Sequence, residues 1–150
     1  MTTTTISART VHRLDTLPVW LVSALAGIAA AVATELYGLA VRALGIPMQA
    51  GTIGATVAEP ISIGMFAMGT LSSVFWGTIL AVILARFASR PAKIYLWATV
   101  VLTALSLAWP LGAGATALST KLMLALAHLL AAAIVIPAVT RRLSYVSRSR

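Results

Sequence analysis

Long runs of apolar residues alternate with short polar segments along this chain of 150 residues. The runs extend over Leu17–Val41, Ile63–Ala85, Ile94–Leu111 and Leu122–Val139. A helix through each run is about 27 Å long or more, which is roughly the thickness of the hydrocarbon core of a bilayer. The pattern therefore predicts an all-α fold, a bundle of four transmembrane helices.

The polar remainder divides the chain into three predicted regions. Residues 1–16 are rich in Thr and predict a disordered N-terminal arm, residues 17–139 form the transmembrane domain, and residues 140–150 form a basic tail. The connection of residues 43–61 is the longest and contains several Gly and Pro residues. We expect it to form loop or short helical pieces that lie on the membrane surface or fold against the bundle.

Basic residues cluster on one side of the four predicted crossings. Of the 11 Lys and Arg residues, only Arg42 and Lys121 fall on the other side. The positive-inside rule then places both termini in the cytoplasm. We expect the arginines of the tail to bind anionic lipid headgroups rather than nucleic acid, although the net charge is +8. These are Arg141, Arg142, Arg148 and Arg150.

The start of the chain permits a second interpretation. Arg9 and Arg13, followed by an apolar stretch and the residues Ala31-Val32-Ala33, resemble a signal peptide with its cleavage site. The apolar run continues past that site to Val41, interrupted only by Glu35, and this favours an uncleaved first span. Cleavage would instead leave three spans and a new N-terminus outside the cell.

Composition narrows the chemistry that the chain can carry. Its residues are 60% hydrophobic and 9% charged, and it has no Cys. Thiol chemistry is therefore excluded, and the few His, Asp and Glu residues form no metal-binding or paired-carboxylate pattern. The sequence also lacks a Gly-rich phosphate loop and a nucleophile motif. We expect neither an enzyme nor a cofactor nor a metal site.

Two ionisable residues fall inside the apolar runs, Glu35 in the first and His128 in the fourth. If these two runs cross in opposite directions, both residues lie about 10 Å below the outer surface. Arg42 and Lys121 lie two turns away on the same helix faces. The pattern predicts a candidate intramembrane polar pair, Glu35 and His128, flanked by a polar seam of Arg42 and Lys121. The pair is either a protonatable site or a structural contact, and one acid with one imidazole favours the structural role.

Small residues recur at a spacing of four in the first two runs, which suits close approach of helices in lipid. In the second run they are Gly69, Ser73, Gly77 and Ala81, and in the first Ala26, Ala30, Thr34 and Gly38. We expect both ridges to pack within the bundle, with a dimerisation face as the alternative. Glu59-Pro60 precedes the second run and is expected to cap its helix.

The third and fourth runs resemble a known family. The matching residues are Ser106-Leu107-Ala108-Trp109-Pro110-Leu111, Lys121, Ala127-His128-Leu129 and Ile136-Pro137. They are similar to those of small bacterial four-helix integral membrane proteins that are classed as a domain of unknown function. The resemblance implies a four-span fold in the bacterial cytoplasmic membrane and brings no catalytic role. It also implies that Pro110 and His128 belong to a shared framework.

These observations predict a small polytopic membrane protein that is not an enzyme. We expect a partner-binding or accessory subunit of a membrane or envelope complex, in contact with the bilayer and with a protein partner or a second copy. The alternative is a small oligomeric transporter or channel that uses Glu35 and His128. An enzyme acting on lipid would need a nucleophile or an acid–base set that the sequence does not contain.

Overall fold

The computed structural model describes residues 17–148, and four segments within them are long and apolar enough to cross a membrane. The helices are α1 (Val19–Ala43), α2 (Met65–Phe87), α3 (Pro91–Ser106), α4 (Ala108–Gly112) and α5 (Leu118–Arg148). The helices α3 and α4 together make the third span. The predicted all-α fold with four candidate membrane-spanning helices is confirmed. The predicted disordered arm of residues 1–16 lies outside the described residues.

The helices of two spans differ from the apolar pattern, one in where it ends and the other in being interrupted. The helix α5 continues to Arg148, so the predicted domain boundary at residue 139 falls inside a helix. The third span is interrupted at Leu107. Pro110 has no N–H for the carbonyl of Ser106, which explains a break at this point. Pro137, by contrast, lies inside α5.

The first span is the central helix of the bundle. It packs against α2 and α5, and α5 packs in turn against α3. In the most apolar part of α1, 44% of the residues are buried, compared with 11% in each of the other three spans. A Cβ atom added at Gly27 would lie 2.6 Å from a methyl carbon of Val74, and one at Gly38 would lie 2.9 Å from the ring of Phe66. The two glycines therefore let the backbone of α1 approach α2 closely.

Both ends of the described chain meet at one end of the bundle, which we call the terminal end. Arg142 Nε donates a hydrogen bond to the carbonyl oxygen of Leu17 there. Each span contributes to a buried apolar cluster at this end, namely Val19, Ala81, Tyr95, Val139 and Leu143. The opposite end carries two connections and is called the loop end. We refer to residues 44–64 as the long connection and to residues 113–117 as the short connection.

The long connection contains a small β-hairpin rather than the expected loop or helical pieces. The strands β1 (Gln49–Ala50) and β2 (Glu59–Pro60) are antiparallel, with Gln49 opposite Pro60 and Ala50 opposite Glu59. Glu59 is thus an exposed strand residue, and α2 begins only at Met65. The prediction that Glu59 caps α2 is wrong.

The two connections are joined to each other, which fixes the hairpin above the bundle. Ile53 and Ala113 form an isolated β-bridge, and the N–H of Gly114 donates to the carbonyl of Thr52 at 2.9 Å. A Cβ atom at Gly114 would lie 2.6 Å from the backbone nitrogen of Ala55. Only glycine permits this contact between backbones. The long connection therefore contacts the short connection and the start of α5, so it folds against the bundle, which is one of the two predicted placements.

Candidate functional site

Glu35 lies in α1 and binds the beginning of the next helix. One carboxylate oxygen accepts a hydrogen bond from the N–H of Gly64 at 2.7 Å, and the other accepts from the N–H of Ala67 at 3.1 Å. The first N–H groups of a helix have no partner within it, and their end of the helix carries partial positive charge. Gly64, the N-cap residue, has a φ of 92° and no capping side chain of its own. Glu35 therefore caps α2 from a neighbouring helix.

Arg42 lies two turns further along the same face of α1 and binds the backbone of the segment just before α2. Its Nη2 donates a hydrogen bond to the carbonyl oxygen of Ile61. Its Nη1 is buried and makes no hydrogen bond within residues 17–148. Glu35 and Arg42 thus bind residues 61–67 from the same face of α1. Glu35 accepts hydrogen bonds from backbone amides, and Arg42 donates one to a backbone carbonyl. We call this arrangement the α1 clamp.

The clamp explains how a carboxylate is accommodated in an apolar helix. A charge placed in hydrocarbon must be paired or hydrogen-bonded. Glu35 is half-buried and receives two hydrogen bonds, which are strengthened by its charge. Within residues 17–148, Glu35 and Arg42 form no ion pair with each other. Each binds the backbone of the segment that leads into α2 instead.

His128 and Glu35 are not brought together. The Nδ1 atom of His128 lies 2.8 Å from the carbonyl oxygen of Leu124 in its own helix. A carbonyl oxygen can only accept, so Nδ1 is the donor in this contact. Within the described part of the chain, no hydrogen bond or ion pair joins His128 to Glu35. The candidate pair is therefore not joined by a hydrogen bond, and each side chain binds a different segment of backbone.

The rotation of α1 accounts for this separation. The helices α1 and α5 are neighbours, as the predicted pair required. However, it is Tyr37 that faces α5, and its hydroxyl donates to the carbonyl of Met123 at 3.1 Å. Residues two apart on a helix point in directions about 200° apart. Glu35 is consequently turned towards α2, so Glu35 and Arg42 of the predicted polar seam bind the segment before α2 rather than facing Lys121 and His128 on α5.

Lys121 lies near the loop end, and the described basic residues of the predicted tail lie at the terminal end. Lys121 is half-buried in the first turn of α5, and its N–H donates to the carbonyl of Ala117. Arg141 is exposed at the terminal end, and Arg142 is half-buried beside the start of α1. Arg148 is the last residue of α5, and Arg150 lies outside the described residues.

A groove lies at the terminal end between α1 and α2. Its volume is about 300 Å³. The lining residues are Val19, Trp20, Val82, Ala85 and Arg86. Among the residues that the structure describes, no group of three His, Asp or Glu side chains could hold a metal ion.

The ridge of small residues on α2 is only half covered. Ala81 is fully buried, and a Cβ atom at Gly77 would lie 3.6 Å from the hydroxyl of Tyr95. Gly69 and Ser73 are exposed, and nothing lies within 4 Å of a Cβ atom at Gly69. Packing within the bundle accounts for one half of the ridge and leaves the other half uncovered.

The ridge of α1 is buried along its whole length. Sequence reasoning did not identify one contact there, the hydrogen bond of 3.0 Å between the hydroxyls of Thr34 and Thr70. Thr34 belongs to the predicted ridge, but the partner lies outside the predicted ridge of α2. The only signal for it was a second hydroxyl at similar depth in the adjacent span.

The chain matches one family model, described as a family of unknown function (DUF6069), over residues 15–145. This match covers the first three spans and all but the end of the fourth. No curated protein and no solved structure matches the chain.

Proposed function

Since the chain belongs to DUF6069, a family without an assigned function, we propose its role from the geometry: a non-enzymatic accessory protein that binds a partner helix inside the membrane. The observation that carries this proposal is the uncovered half of the α2 ridge. Ser73 lies three residues after Thr70, which is buried, and four before Gly77, which approaches Tyr95. Ser73 therefore lies on the same face of α2 as Thr70 and Gly77, which contact the rest of the bundle, yet Ser73 itself is exposed.

The chemistry of this surface suits another transmembrane helix. In lipid, helices associate through close backbone contact and van der Waals packing, because lipid tails solvate apolar side chains as well as proteins do. The small side chains at Gly69 and Ser73 leave a depression on the surface of α2, where the backbone of a second helix can approach closely. The partner is a membrane protein or a second copy of this chain.

We place the protein in the bacterial cytoplasmic membrane with its terminal end towards the cytoplasm. Arg90 and Lys93 are exposed in this half of the molecule, as is Arg141. The loop end contains Arg42, which is engaged with Ile61, and Lys121. This distribution follows the positive-inside rule. We propose that the arginines near the C-terminus bind anionic headgroups, which attract basic residues beside a span.

A photocrosslinking residue at position 73 tests the partner-binding proposal, with position 72 as the matched control. Ser72 is also exposed but lies about 100° further around α2. In native membranes we expect position 73 to give a discrete protein adduct several-fold more abundant than position 72. Gly69→Leu should abolish that adduct without lowering thermal stability, because the site is empty. Equal yields from both positions, or lipid adducts alone, would contradict the proposal.

The alternative function, a small oligomeric transporter or channel, has less support. It depends on a protonatable pair, whereas Glu35 binds the amides of α2 and His128 binds its own helix. We retain it as the outcome to be considered if position 73 gives no adduct and His128→Ala changes ion flux in reconstituted vesicles.

A further inference from the structure

We infer that the long connection at the loop end lies in the interfacial layer of the bilayer, with its exposed aliphatic side chains among lipid headgroups and the adjoining acyl chains. This inference concerns a different surface from the α2 ridge and does not depend on the proposed function. It rests on three properties of the long connection: its low charge, the hydrogen bonds that hold part of its backbone, and its continuity with the exposed apolar surface of the helices.

The first property is the composition of its exposed surface. No charged residue occurs between Arg42 and Glu59. Leu44 is 81% exposed, Val57 72% and Ile63 72%. Large apolar side chains at this exposure, with Glu59 as the one charge among them, are unfavourable next to water and favourable in the interface of a membrane.

The second property is the satisfaction of its backbone. Unpaired N–H and C=O groups are costly where water is scarce, so hydrogen bonds within the protein favour entry of a segment into the interface. The N–H of Ile61 donates to the carbonyl of Met48 at 2.8 Å, next to the strand pair. The N–H of Gly51 donates to the hydroxyl of Thr116 at 3.0 Å, and Thr120 donates to the carbonyl of Pro47. These bonds let the hairpin enter a layer poor in water.

The third property is continuity with surfaces that face lipid. Leu44 directly follows α1, whose Leu36 and Leu39 are exposed on the helix, and Ile63 directly precedes the exposed Met65 of α2. The apolar surface therefore continues from the spans into the connection, while Arg42 at this border is engaged with the carbonyl oxygen of Ile61. Trp109 is exposed in the last turns before the short connection, and Trp favours the headgroup level.

Lipid is the occupant that these properties favour. A protein that docked from the aqueous phase would meet a surface with Glu59 as the only charge of the long connection. It would gain little electrostatic steering from such a surface. An interfacial hairpin needs no further partner, because part of its backbone is bonded within the protein and the adjoining acyl chains accept its aliphatic side chains.

Fluorescence quenching of single-cysteine variants tests this placement. The sequence contains no Cys, so Val57→Cys, Ile63→Cys and the control Ser89→Cys each carry one label site. Ser89 is exposed in the connection between α2 and α3. The variants would carry an environment-sensitive fluorophore in vesicles of phosphatidylcholine and phosphatidylglycerol. Quenching would be compared between a lipid with a spin label near the headgroup and iodide in the buffer.

We expect the ratio of lipid quenching to iodide quenching to be at least several-fold higher at positions 57 and 63 than at position 89. Iodide quenching at 57 and 63 equal to that at 89 would place the connection in water and overturn the inference. Weak quenching by both agents would show that protein covers these residues, for example a second copy, and would overturn it as well. Circular dichroism of each labelled variant establishes that the helices are intact before quenching is compared.

Discussion

The α1 clamp leads to a quantitative prediction for Glu35→Ala. The substitution removes the acceptor of two N–H groups at the start of α2, those of Gly64 and Ala67. A hydrogen bond to a charged group contributes about 1.5–3 kcal/mol. Two such bonds give an upper bound of about 6 kcal/mol, and because Glu35 is only half-buried, water replaces part of this. We expect a loss of about 2–4 kcal/mol in the free energy of unfolding.

Two further variants give this prediction its controls. Glu35→Gln keeps one oxygen and loses the charge, so we expect about half the loss of Glu35→Ala. Glu59→Ala removes the exposed carboxylate that the sequence suggested as the cap, and we expect a change within about 0.5 kcal/mol. The measurement is reversible unfolding in mixed micelles with increasing denaturing detergent, followed by circular dichroism. The reasoning is refuted if Glu59→Ala costs as much as Glu35→Ala, or if Glu35→Ala is neutral.

Two other predictions concern stability. Glu35→Ala and His128→Ala should have additive effects within about 0.5 kcal/mol in a double-mutant cycle, because no hydrogen bond joins the two side chains; a larger coupling energy in the same unfolding assay would show that they are in contact. Gly114→Ala should lower the free energy of unfolding by about 1–3 kcal/mol, since its methyl group would collide with the backbone of Ala55. Gly69→Ala, at an empty and exposed helical site, should instead be neutral or stabilising by up to about 1 kcal/mol, and equal losses for the two glycines would contradict the described packing.

The spans could be predicted from the sequence because apolar run length is a direct consequence of bilayer thickness. Their ends could not, because apolar character and helical hydrogen bonding stop at different residues. The helix α5 shows this, since it continues through Thr140 and Arg141 after the apolar run has ended at Val139. Polar side chains do not end a helix whose backbone bonds remain intact.

The candidate site was harder to predict, because depth along a helix is readable from the sequence and rotation about its axis is not. The positions of Glu35 and Arg42 on one face of α1 follow from their spacing. The packing of the whole bundle decides which neighbour that face meets. In this protein, Tyr37 of α1 contacts α5 and Gly38 of α1 contacts α2. The hairpin of the long connection depends on contacts with the short connection, which is distant in sequence, and no local sequence pattern predicts such contacts.

The bond between Arg142 and Leu17 has a consequence for biosynthesis. It joins residues that are 125 positions apart. At a ribosomal rate of about 5–20 residues per second, roughly 6–25 s pass between the emergence of the two residues. Throughout that interval the first hydrophobic segment is without α5, one of the two helices that bury it. The bundle of the nascent protein therefore remains incomplete until α5 has been synthesised and inserted.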